Sequence, residues 1–369
     1  MAETSESVME STPIFEDEHE AFAASRSSQY VYIPPRDHYF PYLDQHANTL
    51  EGDVTLPLVI LGGEGSGKSA LLANWVAKRR KTKHRDEFLF QHFVGCSAKS
   101  CQLSHTLFRL ETALKEFFQL REMEVPDSED RLRWSLNRFL EAAAKKHSPG
   151  RIVIIIDGVN NLKGEGVPDG SLHWLPTELH PCVRFIVSTV EFERAVPKSK
   201  DDVPQHRTAI ELARRQSPLL KMEPLRMEPL SGSTRQKIIT DFSSKYPDLD
   251  LQEAQFNRIV TAPAAAQPLF LRSLLQSLRL GMAMTSSTID TLLDTFLHCS
   301  TAFELTVKTL SQCSLNVFKG ESDLLGKVFS VLYVSRNGLS EEEIWGLIEM
   351  VSQTVPNENI RSTLYAIVR

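Results

Sequence analysis

The chain has 369 residues, 41% hydrophobic and 24% charged, with a formal net charge of -6. That is the composition of globular protein, with length for two or three domains and a sizeable core. The acidic balance gives no general attraction to nucleic acid or to an anionic membrane surface, so neither is expected as a partner. The five cysteines, Cys96, Cys101, Cys182, Cys299 and Cys313, are scattered, with no CxxC pair and no histidines at zinc-finger spacing. They read as reduced thiols of a cytosolic chain. The N-terminus has no apolar signal core, Ala2 excludes N-myristoylation, and the longest aliphatic run, Ile152 to Ile156, is too short to cross a bilayer.

Residues 1–28 are rich in Ser, Glu and Thr and are expected to be a disordered tail, because they offer little apolar surface to offset the entropy of ordering. Residues 29–55 form a lead-in in which aromatics and prolines crowd together from Tyr30 to Tyr42, expected to pack on the adjoining domain. Residues 56–230 alternate short aliphatic runs with longer helical patterns. The runs at Leu58–Leu61, Phe88–Val94, Ile152–Ile156 and Phe185–Val190 read as buried strands, and Ser104 to Leu120 reads as an amphipathic helix. Strand and helix in alternation predict an α/β fold, a parallel sheet with helices on both faces. Between Val196 and Leu225 charge and proline replace the pattern, which predicts a surface insertion. The near-repeat MEPLRMEPL leaves the register of a last strand open. After Pro229 helical periodicity dominates, at Thr234–Tyr246, Leu251–Thr261 and Leu269–Leu280, and 231–285 is expected to be a small helical domain. A further unit over 286–369 includes a helix at Leu324–Tyr333 and, at Ser340 and Glu343, a capping box.

The chemistry is concentrated in LVILGGEGSGKSALLANWV. Gly62, Gly63, Glu64, Gly65, Ser66, Gly67, Lys68, Ser69 and Ala70 follow an aliphatic strand and open a helix, the context in which a glycine-rich phosphate loop is credible. Glycines let backbone N–H groups approach phosphate oxygens, and the helix adds its positive end. Lys68 is expected on the β- and γ-phosphates and Ser69 on magnesium. Asp157, closing the strand RIVIIID, is the expected acid for the metal, through a water. A charge ending so apolar a strand needs such compensation. Where hydrolytic relatives of such loops carry an acid to activate water, this chain has Asn160 and Asn161, which cannot accept a proton at neutral pH. No catalytic residue is therefore assigned, and hydrolysis is expected to be slow unless Glu64 or Glu191 substitutes. The guanine-reading tetrapeptide Asn/Thr-Lys-x-Asp is absent, which favours ATP and ADP, with Mg2+, as cofactors. Ser188 and Thr189, ending FIVST, are either γ-phosphate sensors or ordinary strand-end hydroxyls.

On these motifs, together with RDHYFPYLDQH, FQHFVG, MEPLSGSTRQKII, QPLFLRSLLQSLR and GLSEEEIWGLI, the chain resembles STAND-type, NACHT-related P-loop NTPases, and most closely the nephrocystin-3-like tetratricopeptide family. The resemblance implies an NTPase domain over 56–230, a helical domain over 231–285 whose Pro268 contacts the nucleotide, and a winged-helix-like domain over 286–369, incomplete here. It also implies a regulatory switch or signalling scaffold, in which nucleotide state controls self-association and assembly with protein partners, and a cytoplasmic location with an association with cilia. The alternative from the residues is an active AAA-like ATPase doing remodelling work; a nucleotide-stabilised structural module is a third reading.

Overall fold

The structure is a computed structural model. It describes residues 14–29, 39–49, 57–82, 87–146, 150–166, 172–176, 179–190, 223–284, 288–317, 324–335 and 339–351. Two compact units divide the chain, Met1–Glu228 and Pro229–Arg369.

In chain order the first unit contains α1 (Ile14–Gln29), α2 (Tyr39–Asn48), β1 (Leu58–Gly62), α3 (Lys68–Thr82), β2 (Glu87–Phe93), α4 (Leu103–Phe117), α5 (Glu129–Lys146), β3 (Arg151–Asp157), β4 (Val183–Val190) and β5 (Glu223–Arg226). The five strands form one parallel sheet in the order β2-β3-β4-β1-β5. Aliphatic side chains fill both faces of its central strands, which is why these segments read as unbroken apolar runs. On one face Val59, Ile154, Ile156, Phe185 and Val187 pack against Leu107, Leu110 and Leu114 of α4 and Leu136 and Phe139 of α5. On the other, Leu58, Ile60, Val153, Ile155 and Ile186 pack against Phe40 and Leu43 of α2 and Leu72 and Trp75 of α3. Each such fully buried side chain contributes roughly 1.5–3 kcal/mol. The expected α/β fold, helices on both faces of a parallel sheet, is present. Because β4 lies between β1 and β3, its last residues fall between the loop after β1 and the acid at the end of β3.

Two expectations are revised. The expected tail becomes helical at Ile14, and α1 packs on α3 and on β2, the edge strand of the sheet. Its docking needs little apolar surface: His19 and Ala23 are buried, His19 Nδ1 accepts the Phe93 N–H at 3.0 Å, and Glu20 pairs with Arg80 at 2.7 Å. An edge amide is thereby satisfied and covered. Secondly, the expected surface insertion overlaps β5, which begins at Glu223; residues 191–222 lie outside the described residues. Of the lead-in, residues 30–38 and 50–55 lie outside them too, while α2 buries Phe40, Leu43 and Ala47.

The second unit is helical in its described residues: α6 (Gly232–Lys245), α7 (Glu253–Thr261), α8 (Pro268–Met284), α9 (Ile289–Phe296), α10 (Ala302–Val317), α11 (Leu324–Val334) and α12 (Glu341–Val351). Its core gathers Ile239, Phe270, Leu271, Leu274, Leu275 and Leu278 with Leu293 and Phe296. Ser231 caps α6 and Thr288 caps α9. The capping box at α12 is formed in both directions, with Ser340 N donating to Glu343 Oε2 at 2.7 Å and Glu343 N donating to Ser340 Oγ at 3.2 Å. The expected winged-helix segment extends over residues 318–323, 336–338 and 352–369, which lie outside the described residues.

Candidate nucleotide-binding site

The loop between β1 and α3 owes its shape to its glycines. Gly65 and Gly67 have φ of 71° and 96°, left-handed conformations that disfavour side chains. At Gly62 the restriction is spatial: a β-carbon there would lie 2.7 Å from Ser66 Oγ and 2.8 Å from Met227 Cβ, just beyond β5. The loop closes with Ser66 N donating to Gly63 O at 3.3 Å, and α3 starts with Leu71 N on Gly67 O at 2.9 Å. Lys68 folds over this ring. Its Nζ donates to Gly62 O at 2.7 Å, Gly63 O at 2.9 Å and Ser66 Oγ at 3.4 Å. The side chain is 9% exposed, and burial lowers its pKa against the opposing pull of Asp157 and Glu64. Glu64 is exposed and Ala70 buried at the base of α3.

Asp157 ends β3 and is 4% exposed. Burial raises its pKa; hydrogen bonds from Ser188 and Ser69 and the charge of Lys68 act in the opposite direction. Ser188 Oγ donates to Asp157 Oδ1 at 2.5 Å and accepts the Gly158 N–H at 2.9 Å, so one hydroxyl fixes both the carboxylate and the turn after it. That turn, Val159–Asn161, follows Gly158 at φ 77°. Asn160 Oδ1 accepts from Val190 N at 3.3 Å and its Nδ2 donates to Asn161 Oδ1 at 3.0 Å, tying the end of β3 to the end of β4. Thr189 is 0% exposed, and its hydroxyl has no partner among the described residues.

The structure therefore brings Ser66, Lys68, Ser69 and Asp157 together, with Glu64 beside Lys68 and Asn160, Asn161 and Thr189 at the neighbouring strand ends. Pro268 belongs to the second unit, where it opens α8. Of the two β4 hydroxyls it is Ser188 that meets Asp157. The β3–β4 register Ile156↔Val187, carried one step on, pairs Asp157 with Ser188 and puts both on one face. That period-two argument was available in the sequence once the two strands were taken as neighbours.

The donor set suits a nucleoside triphosphate and a hard divalent cation. A buried carboxylate whose pKa is raised by burial gains from a nearby metal, and its oxygen donors, with the Ser69 hydroxyl, are of the type magnesium takes. The glycine cradle leaves room for phosphate oxygens above α3, where the helix adds its positive end.

No family model matches the chain. Human nephrocystin-3 is similar at 24% identity over 314 residues, covering 83% of this chain and 21% of that protein. Mouse tetratricopeptide repeat protein 41 is 30% identical over 140 residues, covering 36% of this chain and 10% of that protein. The matches thus span about a fifth and a tenth of these relatives. Among solved structures, domain III of the Thermotoga maritima replication initiation protein DnaA aligns with a TM-score of 0.40 at 18% identity, over 78% of this chain and 100% of that one. On the parallel strand order, the glycine loop between β1 and α3 and the acid closing β3, the first unit has the fold of a P-loop NTPase.

Proposed function

We propose that this chain is an ATP- and ADP-binding regulatory switch of the STAND type, with slow hydrolysis, in which the nucleotide state controls assembly with protein partners. The reading rests on one observation above the others: the residues beside Asp157 are amides occupied in holding strand ends together. Asn160 accepts a main-chain N–H from β4 and donates to Asn161, so it supplies geometry and no base. The similarity to tetratricopeptide repeat protein 41 supports protein partners.

In this reading the loop amides and Lys68 bind the phosphates. Lys68 Nζ exchanges the carbonyls of Gly62 and Gly63 for phosphate oxygens, a charge-assisted replacement of neutral acceptors. Ser69 and, through water, Asp157 would hold magnesium, which supplies charge neutralisation when bound. Thr189, whose buried hydroxyl lacks a partner among the described residues, would read the terminal phosphate in this reading. Without a base, binding persists longer than chemistry requires, which is the property of a switch.

The reading is tested by single-turnover hydrolysis and by mass spectrometry of the nucleotide released on denaturation. Turnover below about one per second and co-purifying ADP are expected; a faster wild-type rate would favour the remodelling ATPase. Asn160→Asp keeps the acceptor for Val190 N and adds a carboxylate. It should raise the rate by up to about 10²-fold, the lower part of what general-base assistance supplies, because the supporting groups are not built for it.

A further inference from the structure

We infer that Arg26, on the N-terminal helix α1, is a further phosphate-binding residue of this site, whose guanidinium takes the terminal phosphate of a bound nucleoside triphosphate and so separates triphosphate from diphosphate. The inference rests on the reading of Gly62–Ser69 as a nucleotide loop.

The placement follows from how α1 runs. Glu20 pairs with Arg80 in the last turn of α3, while Ala23 packs in a cluster with Ala73, nearer the start of α3. The two helices are thus antiparallel, and each further turn of α1 moves towards the phosphate loop. Arg26 is the next position on the buried stripe of His19, Phe22 and Ala23, following the three- and four-residue spacing of one helix face. A chain of ring contacts fixes it laterally. The Arg26 guanidinium lies over the Phe22 ring at 4.6 Å, Phe22 meets Phe93 at 5.0 Å, and Phe93 is the register partner of Asp157 in the sheet. Arg26 therefore stands at the carboxyl end of β3, on the side of the metal-directed acid, and its positive charge acts on the Asp157 carboxyl.

Its chemistry suits the task. Stacking on Phe22 holds the guanidinium plane and leaves its edge donors for oxygen acceptors. Among the described residues no carboxylate lies in salt-bridge contact with it, whereas Arg79, Arg80 and Arg133 are each paired. Even with Lys68 and the magnesium ion of the proposed reading, a triphosphate beside Asp157 leaves negative charge in excess, which a further cation offsets. In this reading the terminal phosphate would lie on the Asp157 side, so the contribution of Arg26 would fall on the triphosphate.

The test is calorimetric titration of the full chain with ATP and with ADP in magnesium, for wild type, Arg26→Met, Arg26→Lys and Lys68→Ala. Met keeps apolar packing on Phe22 and removes the charge. We expect Arg26→Met to weaken ATP binding about five- to tenfold while ADP changes less than about twofold, as for loss of one charge-assisted contact, with Lys restoring part of the loss. Equal weakening of ATP and ADP would make Arg26 a packing residue and overturn the inference. So would unchanged ATP affinity in Arg26→Met alongside weakened binding in Lys68→Ala, a result that leaves the nucleotide loop standing. A wild-type chain that binds neither nucleotide overturns the loop reading and this inference together.

Discussion

The two ends of the sheet bury charge in opposite ways. At the amino ends of the strands the buried Arg79 and Arg184 are answered from within. Arg79 pairs with Glu87 at 2.5 Å and reaches Asp44 at 3.4 Å and Asn48 Oδ1 at 3.0 Å. Arg184, at the start of β4, donates to His46 O at 3.1 Å, Pro181 O at 2.7 Å, Val183 O at 2.9 Å and the carbonyl of Thr49. At the carboxyl ends the charges are held by hydrogen bonds without an ion pair at contact distance, and one buried hydroxyl is left open. Lys68 leans on main-chain carbonyls, burial pushes the Asp157 carboxyl up, and the Thr189 hydroxyl has no partner among the described residues. Burial of a charge therefore does not mark function; what separates the two ends is the counter-charge on Arg79 at one and the unpartnered Thr189 hydroxyl, among the described residues, at the other.

The contrast breaks if removing charge costs the same at both ends. Glu87→Gln leaves Arg79 buried without its main counter-charge and should lower stability by about 3 kcal/mol in urea unfolding, while nucleotide affinity of the folded fraction stays unchanged. Lys68→Ala should do the reverse. It should weaken ATP binding at least about tenfold, about 1.4 kcal/mol, while the melting temperature without nucleotide holds or rises, because a cation disfavoured by burial has been removed. A large fall in unliganded stability would make Lys68 a clasp like Arg79.

Thr189→Val tests the open hydroxyl. Replacing a buried, unpartnered group by an isosteric methyl should leave unliganded stability unchanged or raise it by about 1 kcal/mol, and should shrink the thermal shift produced by ATP. An unaltered ATP shift would return Thr189 to the ordinary strand-end residues.

The smallest expected effect concerns a buried acid at neither end. Glu111 on α4 is 0% exposed, holds Ser135 Oγ at 2.8 and 2.9 Å, and is pushed up to about 7 by burial. Between its ordinary value of 4.5 and about 7 the unfolded chain has lost this proton and the folded chain keeps it, so stability falls as pH rises through that window. Wild type should lose a few degrees of melting temperature across it, and Glu111→Gln should flatten the slope. Parallel slopes would show that Ser135 is compensation enough.

The strands, the shape of the glycine loop and the place of Asp157 at a strand end were legible because each is written locally: an aliphatic run buried on two faces, glycines where φ turns positive, one acid closing an apolar strand. α1 was not, since its docking depends on a narrow stripe, His19, Phe22, Ala23 and Arg26, and on an edge amide contributed far along the chain. β5 was blurred for a related reason. Its four residues pair with β1 through the backbone, and its sequence, Glu-Pro-Leu-Arg, carries no apolar run to announce it. The Ser188 contact needed the neighbour relation of β3 and β4, which no single segment states. What sequence reading missed is what only the pairing of distant segments creates.

The separation of 74 residues between His19 and Phe93 also orders events in time. During synthesis α1 leaves the ribosome before the strand it covers and the helix it lies along, and closing so long a loop comes after local structure. The polarity of α1 then has a use: a helix with so little apolar surface stays hydrated until the edge of β2 exists to receive it. The helix that covers the sheet's edge is made before the edge it covers.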